Sequence, residues 1–132
     1  MEDKIITFKE GIPGFEDYRD YVLVINEDEE NPFHKLQSVE EESIGFYVVN
    51  PFLIINDYDF ELKESTIKLL EIQSEKDLAV LSIVKIPGKL EDMTVNLSAP
   101  IVINSKSKLG KQIVLDDSRY SVRHRIYSGE TK

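Results

Sequence analysis

The 132-residue chain carries a formal net charge of -9, no cysteine and two histidines. It therefore has no disulfide frame, no thiol nucleophile and no thiolate metal site, and its length fits one domain over residues 1-132 with enough core to fold without staples. So acidic a balance argues against binding a phosphate backbone, which needs a positive footprint. The charge is uneven: from Ile101 onward the balance is +4, leaving -13 on the first hundred residues. An acidic body favours basic protein partners, or simply solubility. Met1-Glu2-Asp3-Lys4 lacks the basic start and apolar run of a signal peptide, and no apolar stretch is long enough for a bilayer. The expectation is a soluble, cytoplasmic protein that neither enters a membrane nor touches nucleic acid directly.

Lys4 to Lys9 reads as a first strand, ended where Gly11 and Gly14 bracket Ile12-Pro13. Tyr18 to Ile25 returns as a second strand, and Glu27 to Pro32 is a charged loop. Phe33 to Val39 alternates weakly, with Phe33, Lys35 and Gln37 on one parity. Glu40-Glu41-Glu42 forms a second acidic loop. The apolar run Ile44 to Ile55, interrupted by Gly45 and Asn50-Pro51, predicts a strand buried on both faces and ended by that turn. Within 57-74 the Glu64/Lys68 pair and the Ile67/Leu70 flank predict one short helix. Leu78 to Ile86 is an interior strand ending at Pro87-Gly88.

Met93 to Asn104 organises the rest. Its odd positions, Met93 through Ile103, are all apolar, which is the period of a half-buried strand. A straight strand of this length would span roughly 40 Å, about twice the usual, and Pro100 cannot donate to a ladder. A corner at Pro100 is expected, with Pro100 on the outward parity. Lys111 to Leu115 is the hairpin partner and Tyr120 to Tyr127 a last strand, with Ser128 to Lys132 frayed. Seven to nine strands joined by short turns predict a mainly β domain, a small antiparallel barrel or sandwich with one short helix.

Chemistry-bearing constellations are sparse. His34 and His124 lie ninety positions apart and read as surface or edge-strand histidines. Asp57 with Asp59, or Asp116 with Asp117, would suit a small metal-dependent enzyme, but closely spaced loop acids are far more often turn formers. Arg119, Arg123 and Arg125 interleaved with Tyr120 and Tyr127 would suit a nucleic-acid binder acting through the basic C-terminal tail. Against it stands the acidic body, and a charge-protected edge strand is the preferred reading. No metal, cofactor or catalytic group is assigned.

Gly11-Ile12-Pro13-Gly14-Phe15-Glu16, Pro32-Phe33 with Leu36-Gln37-Ser38, Phe46 with Pro51, the run Met93 to Asn104 and Gln112 together resemble the bacterial flagellar assembly factor FliW family. The resemblance runs from about Phe8 to about Ile126 and implies a small barrel-like protein without catalysis. Such proteins bind flagellin and the RNA-binding regulator CsrA, relieving the repression of flagellin translation. It further implies a protein that is monomeric when free. Gly11, Pro13, Gly14, Phe15, Asn96, Pro100 and Asn104 are expected to be architectural. The expected contact surface is the strand carrying Phe33, Lys35 and Gln37 with Glu40, Glu41 and Glu42, together with Asn50, Pro51 and the segment to Tyr58.

Overall fold

Residues 4-126 are described by a computed structural model. Strands β1 (Ile5–Thr7), β2 (Asp20–Val24), β3 (His34–Ser38) and β4 (Gly45–Val49) follow one another as an antiparallel meander. After helix α1 (Glu64–Leu69) come β5 (Leu78–Lys85), β6 (Thr94–Val95), β7 (Ile101–Asn104), β8 (Leu109–Gln112) and β9 (His124–Arg125). The order β4-β3-β2-β1-β8-β7-β5, with β5 returning to pair β4, closes a barrel of seven strands. β6 and β9 extend the sheet beyond β5. All pairings are antiparallel except β1 with β8, which run parallel through Thr7 and Leu109.

Ile6, Phe8, Tyr21, Leu36, Val48, Leu81, Ile101 and Ile103 fill the barrel. On β3 this follows from alternation: Leu36 and Ser38 are buried while Lys35 and Gln37 stand outside. A second cluster, Val49, Tyr58, Met93, Val95, Leu97 and Tyr120, lies beneath the 51-60 segment and the tail.

The corner in the Met93–Asn104 run is present as two strands on β5. Val95 pairs with Val84 and Ile101 with Leu81, so six residue steps on one strand face three on the other. The surplus is bulged out and held by Asn96, whose Oδ1 accepts from the amides of Ser98 and Ala99 at 3.0 Å each.

Four expectations need correcting. First, β7 is buried on both faces: Pro100, Val102 and Asn104, all of outward parity, are covered. The cover is α1, which presses Leu70 onto Val102 and Leu109. Second, the flank of α1 that packs is Thr66 with Leu70, four residues apart, whereas Ile67 is exposed. Third, the 44-55 run is a half-exposed strand. Tyr47 is 51% exposed, and after Asn50 the chain leaves as a 3-10 turn over Pro51–Leu53 that leaves Phe52 and Leu53 outside. Fourth, β8 begins at Leu109, two residues before the expected hairpin partner, and ends at Gln112; Ile113 and Leu115 continue only as single amides donated to Pro100 and Ser98. Of the expected last strand, Tyr120 to Tyr127, only the two residues of β9 are strand, residues 120-123 forming none, with Tyr127 and Ser128 to Lys132 outside the described residues.

Candidate functional site

Two sequence motifs eighty residues apart meet at one cleft of about 350 Å³. One wall is the 11-16 turn. Gly11 and Gly14 hold φ of +74° and +89°, and the Phe15 amide donates to the Ile12 carbonyl at 2.7 Å, as a type II turn with proline second and glycine third requires. A side chain on Gly11 would place its Cβ 2.7 Å from the Glu16 Cα. The turn thereby presents Pro13 and Phe15, and Phe15 stands edge-on to Phe46 with ring centres 5.1 Å apart. The other wall is the corner: Thr94, Asn96 and Gln112, with the Gln112 Nε2 donating to the Ala99 carbonyl at 3.0 Å. Lys85, Val122 and Arg123 complete the mouth.

A second depression, about 660 Å³, runs between α1, the 52-62 segment and strands β5 and β7. Its floor is Phe52, Tyr58, Phe60, Leu62, Ile67, Ile72 and Val102, and its charged lining is wholly acidic: Asp59, Glu61 and Glu75. Tyr58 is buried and its hydroxyl donates to the Leu97 carbonyl at 2.6 Å. Burial, then the neighbouring Tyr120, pushes that hydroxyl well above the ordinary tyrosine range. A third cleft, of about 480 Å³, is lined by Asp28, Glu30, Phe33, Tyr47, Ile86 and Met93.

The residues expected to form one contact surface are dispersed. Phe33 opens onto the third cleft, while Glu40 lies beyond the far end of β3, roughly 20 Å away at about 3.3 Å per residue. Glu40 is committed to the fold, its Oε1 accepting from the amides of Arg19 at 3.1 Å and Asp20 at 3.2 Å. Glu41 accepts from the Ser43 hydroxyl at 2.9 Å, and the Gln37 Nε2 donates to the Ile44 carbonyl at 2.9 Å. Lys35 lies over the Tyr47 ring. Asn50 caps the 3-10 turn by accepting from the Phe52 amide at 2.9 Å, and Pro51 is buried. Asn104 is buried as well; its Nδ2 donates to the carbonyls of Leu70 and Glu71 at 2.8 and 3.1 Å, tying α1 to the barrel.

Of the acids and arginines of the rival readings, Arg119, Asp59 and Asp117 engage one another. Arg119 bonds Asp117 at 2.7 Å and Asp59 at 3.1 Å, which holds the Asp117 carboxyl below its usual range, chiefly through the side-chain hydrogen bond. Among the described residues no group of three or more His, Asp or Glu is placed to hold a metal. Arg125 pairs with Asp92 at 3.5 Å at the surface, and Tyr120 is buried, which removes it as a stacking platform for bases. No helix of the described residues is long and apolar enough to cross a membrane.

The groove beside α1 was missed because its walls come from three separated stretches. The cleft at the corner had a signal, namely two glycine-, proline- and asparagine-rich motifs with no chemistry of their own.

Comparison with known proteins agrees over nearly the whole chain. The family model described as FliW protein matches residues 1–126. The flagellar assembly factor FliW of Alkaliphilus metalliredigens is 46% identical over 125 residues, covering 95% of this chain and 77% of that protein. That of Clostridium novyi is 47% identical over 126 residues, covering 96% and 87%. A crystal structure of the flagellar assembly factor FliW superposes with a TM-score of 0.91 at 37% identity, covering 99% of this chain and 91% of that one.

Proposed function

The chain belongs to the FliW family of flagellar assembly factors, and from that premise we propose that it acts by binding other proteins, without catalysis or cofactor. Its partners are flagellin and the RNA-binding regulator CsrA. Bound to this protein, CsrA no longer represses flagellin translation. Newly made flagellin takes its place and frees CsrA to repress, and secretion of flagellin reverses the exchange. The protein is monomeric when free, works in the cytoplasm, and touches neither nucleic acid nor membrane.

The observation that carries this reading is the end-to-end agreement of sequence and fold with flagellar assembly factors. The clefts support it, since they offer apolar and charged surface rather than a nucleophile beside a base. Calorimetric titration with flagellin and with CsrA of the same genome, each alone and then in competition, tests it. Each is expected to bind, and one to weaken or displace the other. Binding of neither, with all three proteins folded, overturns the reading.

The acidic loop remains part of this proposal in a narrower form. Glu40 is engaged by backbone amides, so Glu42→Lys is the informative charge reversal. Its expected effect is weaker CsrA binding at low salt; unchanged affinity removes the loop from the interface.

A further inference from the structure

We propose that the corner cleft receives an apolar, carboxylate-bearing peptide segment, and that this segment comes from the flagellar partner rather than from the RNA-binding one. The inference rests on the function proposed above and goes further by assigning one partner to one surface.

Charge carries the argument. The first hundred residues hold -13, so a patch taken at random should be acidic. The lining of this cleft instead contains two cations, Lys85 and Arg123, and no acid. Among the neighbouring acids, Asp92 faces Arg125 and Glu10 pairs with Lys111, while Glu16 accepts from the Gly14 amide at 3.2 Å. Among the described ion pairs Lys85 and Arg123 have no partner. Both are exposed, Lys85 at the end of β5 opposite Thr94 and Arg123 in the turn before β9.

Between these cations lies apolar surface. Phe15 is 37% and Val122 59% exposed, and Phe46, Ile12 and Ile83 close the wall. The polar floor is fixed, because Asn96 Oδ1 and Gln112 Nε2 already bond the corner backbone. Such a lining fits apolar side chains flanked by carboxylates. An RNA-binding protein must present positive surface, which this cleft repels and the acid-rimmed groove beside α1 attracts. The occupant of the corner cleft is therefore the other partner.

The test is Lys85→Glu combined with Arg123→Glu, two exposed positions, with a thermal melt expected to match that of the wild type. Variant and wild-type protein are titrated with full-length flagellin and with CsrA in about 50 mM and about 300 mM salt. Flagellin affinity should fall about tenfold or more at low salt, its salt dependence should shrink, and CsrA affinity should hold within about twofold. Val122→Asp, also exposed, should weaken flagellin and spare CsrA. Equal flagellin affinity for wild type and double variant, or an equal loss for both partners, overturns this inference while leaving the function above intact. A wild-type protein that binds neither partner overturns both.

Discussion

The corner cleft and the groove beside α1 share a strand yet are built on opposite rules. The corner cleft is formed by turns whose conformations are fixed locally, by two positive-φ glycines and an asparagine that bonds its own loop. The groove is formed by docking: a six-residue helix, too short to persist alone, is held on β7 by Leu70, Thr66 and the Asn104 amide. Local construction yields a surface that is rigid residue by residue. Docked construction yields one that opens as a unit, and the two should respond differently to damage.

The largest separation is expected from Asn104→Ala. It strips the Glu71 carbonyl of its side-chain donor, leaves the Leu70 carbonyl only the Ser107 hydroxyl at 2.9 Å, and also removes the acceptor of the Lys106 amide at 2.9 Å. A loss of about 3 kcal/mol in denaturant unfolding is expected. Amide exchange should rise through α1 and the 105-108 turn well before the 11-16 turn. Uniform exchange across both regions would break the distinction.

Next come the glycines. Gly11→Ala forces a left-handed alanine against the Glu16 backbone and should cost about 2 kcal/mol or more. Gly14→Ala, with a similar φ but open space around its Cβ, should cost about 1 kcal/mol. Equal losses would mean that strain alone, and not the close approach, shapes this wall.

Tyr58→Phe probes the link between the regions, because Tyr58 lines the groove and donates to Leu97 in the corner. Loss of that bond should cost about 1 kcal/mol. Alkaline titration adds a signature. Burial, aided by Tyr120 at Tyr58 and by Glu40 and Tyr18 at Tyr21, raises both hydroxyls above the ordinary 10.0. The folded state thus holds these protons more tightly than the unfolded chain. Stability from them is complete below about pH 10 and lost as pH rises further. The phenylalanine variant should show a shallower alkaline decline, leaving the share owed to Tyr21.

The smallest effect is that of Arg119→Gln, at the exposed edge of the groove. Unfolding should be unchanged within error, while the carboxyl titration of Asp117, followed by NMR, moves up toward its ordinary 3.8.

The strands were legible because alternation is a local signal. Met93, Val95, Leu97, Ile101 and Ile103 are buried in step, and the weak alternation of 33-39 is a strand whose Leu36 and Ser38 face inward. Where a later element covers a face, alternation fails. Val102 and Asn104 read as outward residues and would be so in a bare barrel; α1 buries them. The reverse error befell 44-55, where Tyr47, Phe52 and Leu53 are apolar but uncovered. Single side chains fared worst. Tyr58 and Pro51 are enclosed and Glu40 is bound to amides, because a lone aromatic, proline or acid gives no hint of what it packs on. Both motifs bordering the corner cleft stood out in the sequence, but nothing local says that residue 15 meets residue 112.

The parallel contact between Thr7 and Leu109 has a kinetic consequence. A meander can zip hairpin by hairpin, but β1 has no second neighbour until a strand a hundred residues later arrives. While the chain is being synthesised, β1 is an unpaired sheet edge, the most association-prone state of a β protein. Ring closure thus joins strands a hundred residues apart, the kind of non-local contact that slows folding. The early loops, Glu27 to Glu30 and Glu40 to Glu42, carry charge of one sign, and like charge opposes the approach of a second copy to that edge.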